Sequence, residues 1–213
     1  MAAARSAATS AAVMPLPEPL PLPFDPAMPS AERRRLLVAA FPDPVREILD
    51  AGRVEHRPRF GDNGFDGLTE TWSPPATVSA RQVAMAQRVL ADLEGSVLAP
   101  VEPDRLLGRV LALLSHYPAK GLTPDVEQLV AMDWVEDLGE FPGWAIDQAA
   151  RSWRRTKKWR PSIAEMRALC EEACATERRL AECLRKVLAA GPQGASVSGF
   201  GRTAGVQCFR RFP

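Results

Sequence analysis

The feature that most constrains this chain is the stretch from Trp144 to Cys170, where a proline interrupts a helical pattern. Ile146, Ala149 and Trp153 recur at helical spacing and predict one buried helix face. Pro161 cannot continue a helix, and its ring moves the preceding residue out of the α region. The sequence therefore predicts a helix that ends at a sharp corner.

A second helix is predicted directly after this corner. Ser162 and Glu165 have the spacing of a capping box, which marks a helix start. Apolar residues then recur at steps of three and four, and Glu177 alone interrupts them. We expect one long helix over 163–189. Its apolar stripe either pairs two copies of the chain as a coiled-coil seam or packs onto the chain's own bundle.

The corner is rich in positive charge. Seven basic residues and one acid lie between Arg151 and Arg167. Such cations bind phosphate, and an exposed indole can stack on an unpaired base. We expect Trp153 in the core and Trp159 as the stacking residue. The candidate nucleic-acid-binding residues are Arg151, Arg154, Arg155, Lys157, Lys158, Trp159 and Arg160.

An acidic segment precedes the basic one. Seven acids and no lysine or arginine lie between Asp125 and Asp147. One interpretation is that the two segments neutralise each other across an antiparallel helix pair, which leaves a solvated surface of little energetic consequence. The other interpretation is that the basic face stays free and binds nucleic acid.

The rest of the chain divides by composition. Residues 1–30 are rich in alanine and alternating proline, which predicts a disordered leader. Residues 31–78 predict short, loosely attached helices and linker, with no strand. Residues 79–190 predict an all-α bundle of four to five helices. Residues 191–213 are rich in glycine and serine and predict a flexible tail.

Three signals place the first helices of the bundle. Ser79 and Gln82 form another predicted capping box. The segment 103–117 is apolar on most sides and is therefore expected at the centre of the bundle. Thr123 followed by Pro124 is a typical opening for the next helix.

Catalysis and cofactor binding are not predicted. The chain has no phosphate-binding loop, no dinucleotide-binding glycine pattern and no nucleophile elbow. His56 and His116 lie outside any metal-ligand spacing, and Cys170 with Cys174 lacks a second pair of zinc ligands. We expect a non-enzymatic protein with no catalytic residue, no metal and no cofactor, in which both cysteines are core residues.

Composition also bears on location. No apolar run is long enough to cross a bilayer, and the cysteines do not form the pattern of a secreted disulfide framework. We therefore expect a cytoplasmic protein without a membrane partner. The formal net charge is only +1, so any attraction to a polyanion depends on the local distribution of charge.

The order of motifs over about 103–172 resembles a known family. LALLSHYP is followed by WVEDL and then by WRRTKKWRPSIAEMRALC. This order resembles the helical domain of phage replication proteins that load the replicative helicase, of the lambda P type. The residues that carry the resemblance are Tyr117, Pro118, Trp134, Leu138, Trp153, Trp159, Pro161, Ser162, Glu165 and Cys170.

The resemblance implies an adaptor that has no ATPase activity of its own. Such an adaptor binds the replicative helicase of the host, and some members also bind DNA, here single-stranded DNA at the basic corner. Two alternatives stay open. One is a DNA-binding regulator that uses the helix–corner–helix, and the other is a structural or assembly protein that forms a homodimer through 163–189.

Overall fold

A computed structural model describes residues 22–62, 64–118, 121 and 123–192. These residues form seven α-helices and one antiparallel two-stranded sheet. The helices are α1 (Ser30–Ala40), α2 (Asp43–Ala51), α3 (Ala80–Asp92), α4 (Pro103–Leu114), α5 (Pro124–Leu138), α6 (Gly143–Thr156) and α7 (Ile163–Ala190). The strands are β1 (Arg53–Gly61) and β2 (Gly64–Ser73), and a π-helical turn over Leu93–Val97 follows α3.

The prediction of an all-α bundle of four to five helices is confirmed in its helical character and wrong in two respects. The described residues contain seven helices rather than four to five. The additional helices α1 and α2 pack into the same body, because Leu37, Phe41, Val45 and Ile48 are buried against α3 and α7. The sheet is the second difference.

The β-hairpin is the element that the sequence analysis missed. The ladder of β1 and β2 runs from the pair Arg53–Ser73 at its base to Gly61–Gly64 at its tip. Most residues of both strands are exposed, so the alternation that marks a half-buried strand is weak. The Asn-Gly pair at 63–64 is the signal that predicts a tight hairpin turn.

The predicted leader and tail lie largely outside the described residues, which begin at Leu22 and end at Pro192. The last part of the predicted leader packs on the helices. The Phe24 ring lies 5.0 Å from the Trp144 ring, centroid to centroid, and Leu22 contacts the core formed by the first helices.

Two apolar cores share helix α7. The first, here called the α4–α6 core, lies between α4, α5, α6 and the first half of α7. The second, the α1–α3 core, lies between α1, α2, α3, the π-helical turn and the second half of α7. Leu98 contacts both cores. Because each buried aliphatic side chain contributes about 1.5–3 kcal/mol, α7 gains stability from both halves of the fold.

The apolar stripe of α7 is covered by helices of the same chain. Its first half contributes Met166, Cys170 and Cys174 to the α4–α6 core, and its second half contributes Leu180, Leu184 and Val187 to the α1–α3 core. A homodimer through 163–189 stays a prediction, and it would have to use the outer face of α7 rather than this stripe.

Glu177 interrupts the apolar stripe because it has a buried partner. Arg33 of α1 donates from Nε to Glu177 Oε1 at 2.8 Å, and both side chains are at most 2% exposed. The Arg33 guanidinium also donates to the carbonyl oxygens of Met28 and Ala173, each at 2.9 Å. Its carbon lies 5.0 Å from the centre of the Trp144 ring. This one arginine therefore connects α1, α6 and α7.

Both predicted capping boxes are confirmed. The hydroxyl of Ser79 accepts from the backbone N–H of Gln82, whose side chain accepts in return from the backbone N–H of Ser79. Ser162 and Glu165 are arranged in the same way at the start of α7.

Among the described residues, no helix is long and apolar enough to cross a membrane.

Removing one partner of the buried ion pair should be costly. We expect Arg33→Met to lower the free energy of unfolding by about 3–5 kcal/mol, because Glu177 stays buried without its partner. Arg33→Met combined with Glu177→Leu should recover most of that loss. Urea unfolding followed by circular dichroism measures both. Arg185→Met is the control, since it breaks an exposed pair with Glu94 and should cost under about 1 kcal/mol. A cost for Arg33→Met no larger than the control would contradict the assignment.

Candidate nucleic-acid interface

The basic corner lies between the end of α6 and the start of α7. Helix α6 ends at Thr156, and Lys157 has the extended backbone of a C-cap, with φ −121° and ψ 143°. The helix therefore ends before Pro161 is reached, and residues 157–162 form a non-helical connection. Pro161 is buried and Ser162 caps the next helix, so the far end of the connection is held in place.

The cations of the corner lie mostly at the surface. Arg151, Arg154, Arg155, Lys157 and Lys158 are exposed, and Arg160 is half-buried. Within the described residues, none of these six forms an ion pair with a carboxylate. The positive charge of the corner is therefore available to a partner molecule.

Two acids of the neighbouring acidic segment form ion pairs. Glu140 pairs with Arg167 and with Arg178, and Asp147 pairs with Arg109. The Arg167 guanidinium holds the pKa of the Glu140 carboxyl below its ordinary value. The Glu140–Arg167 pair joins the acidic and basic segments at one point, whereas the other six cations of the basic segment form no ion pair within the described residues. The two segments therefore neutralise each other only in part.

Trp153 and Trp159 have different roles in the corner. Trp153 is 2% exposed within the α4–α6 core, whereas Trp159 is 55% exposed. The ring N–H of Trp153 donates to the carbonyl oxygen of Trp159 at 2.9 Å. The two rings meet edge to face, with centroids 6.1 Å apart. The buried indole thus positions the exposed one.

Lys157 adds a cation to this aromatic pair. Its ammonium nitrogen lies 5.2 Å from the centre of the Trp159 ring and 5.8 Å from that of Trp153, which is cation–π distance. The arrangement combines the two contacts that unpaired nucleic acid requires.

The other predicted residues lie on three neighbouring sides of the corner. Arg151 and Arg155 line a recess on α6 beside Trp144. Arg160 lies at the end of an apolar groove between α4 and α5, next to Trp134. The seven predicted residues therefore lie in one region of the structure, but the side chains of the six cations line different recesses.

The third side contains residues that the sequence analysis did not assign to the site. Arg154, Lys157 and Lys158 line an open recess of about 400 Å³ together with His116 and Tyr117, which follow α4. No local pattern links these two residues to the corner, because α4 and α6 become neighbours only in the folded chain. Tyr117 is half-buried here and offers a further aromatic group.

Glu165 is the carboxylate that shares the start of α7 with the corner. Its pKa is lowered, first by the hydrogen bonds from the backbone and hydroxyl of Ser162 and also by Trp159 and Lys157. This carboxylate is therefore ionised at neutral pH and engaged in capping α7. Its bonds to Ser162 fix the position at which the corner joins the helix.

Two of the three cysteines of α7 are core residues. Cys170 and Cys174 are fully buried, and the Cys174 thiol donates to the Cys170 carbonyl oxygen, with sulfur and oxygen 3.0 Å apart. Burial raises the pKa of Cys170 to about 12 and also raises the pKa of Cys174. Both thiols are therefore protonated at neutral pH. In the part of the chain that the structure describes, no group of three or more histidine, cysteine or acidic side chains could hold a metal ion.

No family model, curated protein or solved structure matches the chain. The function proposed below therefore depends on the residues of the corner and on the sequence resemblance.

The two tryptophans should differ sharply in their effect on stability. We expect Trp153→Ala to cost about 3–5 kcal/mol, because it empties a buried site. Trp159→Ala should cost only about 1 kcal/mol, since it removes a half-exposed ring and one edge-to-face contact. Urea unfolding of both variants measures the difference. Equal losses would mean that Trp159 is a structural residue rather than an exposed platform.

Proposed function

We propose that this chain is a non-enzymatic replication adaptor that binds single-stranded DNA through the basic corner and a replicative helicase through a separate surface. The observation that supports the DNA-binding half is one exposed indole, Trp159, among cations that form no ion pair within the described residues. A phosphate backbone would replace the missing counter-charges, and an unpaired base would stack on the ring.

Single strands fit the corner better than duplex DNA does. A stacking residue needs a base face, which is inaccessible inside a duplex. A recognition helix that reads the major groove usually follows the turn of a helix-turn-helix, whereas here the basic helix α6 precedes the corner. These two features favour the adaptor over the alternative of a sequence-specific DNA-binding regulator.

Charge reversal tests the DNA-binding half. We expect Arg154→Glu, Arg155→Glu and Lys158→Glu together to weaken binding of a labelled oligo-dT at least about tenfold and to flatten its salt dependence. Fluorescence anisotropy at several salt concentrations measures both effects. The circular dichroism spectrum should not change, because these side chains are exposed.

The matched control carries the same change in net charge elsewhere. Arg35, Arg81 and Arg88 are exposed on α1 and α3, and reversing all three should leave the affinity nearly unchanged. An equal loss in both triple variants would mean that only net charge matters. Unchanged affinity in the corner variant would overturn the proposed DNA-binding surface.

The helicase half rests on the resemblance and on one exposed apolar surface. The resembling segment, about 103–172, corresponds to α4, α5, α6 and the start of α7, which enclose the α4–α6 core. On α5, Val126, Leu129 and Met132 are 41%, 61% and 59% exposed. Exposed apolar residues of this kind favour a protein partner over nucleic acid.

Complex formation with the replicative helicase tests this half separately. We expect the chain and the helicase of its host to co-elute with defined stoichiometry, measured by size exclusion with light scattering in low and moderate salt. Leu129→Asn with Met132→Asn should reduce the complex at least about tenfold, because a contact surface loses its apolar side chains. The charge-reversed corner variant should still form it. Absence of a complex with wild-type protein would refute the helicase assignment.

A further inference from the structure

The β-hairpin has an exposed apolar face. Cross-strand partners share a face, and every second residue along a strand returns to it. A register shift between Pro58 and Phe60 keeps Phe60 opposite Phe65 near the tip. The residues of this face are Val54, His56, Pro58, Phe60, Phe65, Leu68, Glu70 and Trp72. Four of them, Val54, Phe60, Phe65 and Leu68, are between 50% and 71% exposed.

The opposite face of the hairpin is polar and satisfied by its own ion pairs. Arg57 pairs with Glu55 at 3.2 Å, and Arg59 pairs with Asp66 at 2.7 Å. This arrangement leaves little free positive charge on the ribbon, in contrast to the basic corner. A protein surface therefore fits the hairpin better than nucleic acid does.

The hairpin is attached to the helices at its base. Trp72 packs against the α1–α3 core, and its indole lies so close to Gly52 that a side chain there would clash with it. Towards the tip, Phe60 and Phe65 meet edge to face at 6.1 Å between centroids. A two-stranded ribbon by itself is marginally stable in water, so a partner that covers this face would stabilise the outer part of the hairpin.

We propose that the apolar face of the hairpin pairs with the same face of a second copy of this chain. If the two-fold axis runs along the ribbon, β1 of one copy faces β2 of the other. Phe60 then meets Phe65 across the interface, and His56 meets Glu70. Within one chain His56 Nδ1 and Glu70 Oε1 are already 3.8 Å apart, so an imidazole and a carboxylate alternate around the centre of the interface. The face is therefore complementary to itself, with aromatic rings opposite aromatic rings and an imidazole opposite a carboxylate.

The exposed area indicates how strong this pairing is. From their exposed fractions, the four apolar side chains offer about 450 Å² per copy, or roughly 900 Å² for a pair. This area is at the low end for specific interfaces, so the dimer should be weak and reversible. The inference is independent of the proposed function, although a dimer would present two basic corners to one strand.

Sedimentation velocity of the full chain from about 5 to about 200 µM tests the pairing. We expect the mean mass to rise with concentration from monomer towards dimer. Phe60→Thr with Leu68→Thr should weaken the dimer at least about tenfold, because threonine keeps strand propensity but removes the apolar contact. Arg57→Thr, on the polar face, is the matched control and should leave the dissociation constant within about twofold of wild type.

Three outcomes would overturn the pairing. The first is a wild-type chain that stays monomeric over the whole concentration range. The second is a dimer that survives the Phe60 and Leu68 substitutions, which would place the contact elsewhere, for example on the outer face of α7. The third is a monomeric wild-type chain whose Phe60 and Leu68 double variant no longer binds the helicase, because the hairpin would then bind the helicase rather than a second copy. Wild-type behaviour decides the first outcome even if the double variant fails to fold.

Discussion

The buried ion pair between Arg33 and Glu177 is the interaction on which the rest of the structure depends. Glu177 lies on α7 between the residues of the two cores, and Arg33 approaches it from α1. The same guanidinium contacts Trp144 at the start of α6. A buried charge is tolerated only with a well-placed partner, so this pair fixes how the first helices meet the last one. It also fixes the start of α6, whose other end carries the basic corner.

The corner is shaped by a series of local constraints. Lys157 ends α6, the Trp153 indole holds the Trp159 carbonyl, and Ser162 with Glu165 starts α7. Within the part of the chain that the structure describes, the cations of α6 and of this connection form no ion pair with a carboxylate. The whole chain is nearly neutral, but its charges are segregated, with exposed acids on α5 and exposed cations on α6 and the corner. Attraction to a polyanion depends on this segregation.

Local patterns in the sequence predicted the helices well, and tertiary partners explain what they missed. The capping boxes, the burial of Trp153 and the stripe of α7 follow from spacing alone. Glu177 appeared as an interruption because its partner Arg33 is far away in sequence. His116 and Tyr117 join the corner only because α4 packs beside α6. The hairpin was not predicted because its strands are mostly exposed and lack the alternation between buried and exposed positions.

The free charge of the corner was a question that the sequence left open. The acidic and basic segments are adjacent along the chain, and antiparallel packing would have neutralised both. In the fold, Glu140 pairs with Arg167 of the basic segment and with Arg178, and Asp147 pairs with Arg109 on α4, while the cations from Arg151 to Arg160 form no ion pair within the described residues. Such choices depend on side-chain geometry across helices, which periodicity does not encode.

The most direct measurement is the indole N–H spectrum of the ¹⁵N-labelled protein during titration with oligo-dT. The chain has five tryptophans, so each signal can be assigned by substitution. If the corner binds single strands, the Trp159 signal should shift progressively and saturate. The signal of Trp72, which packs against the α1–α3 core at the base of the hairpin, should stay in place. A saturable shift confined to other tryptophans, or binding that leaves Trp159 unchanged, would contradict the account.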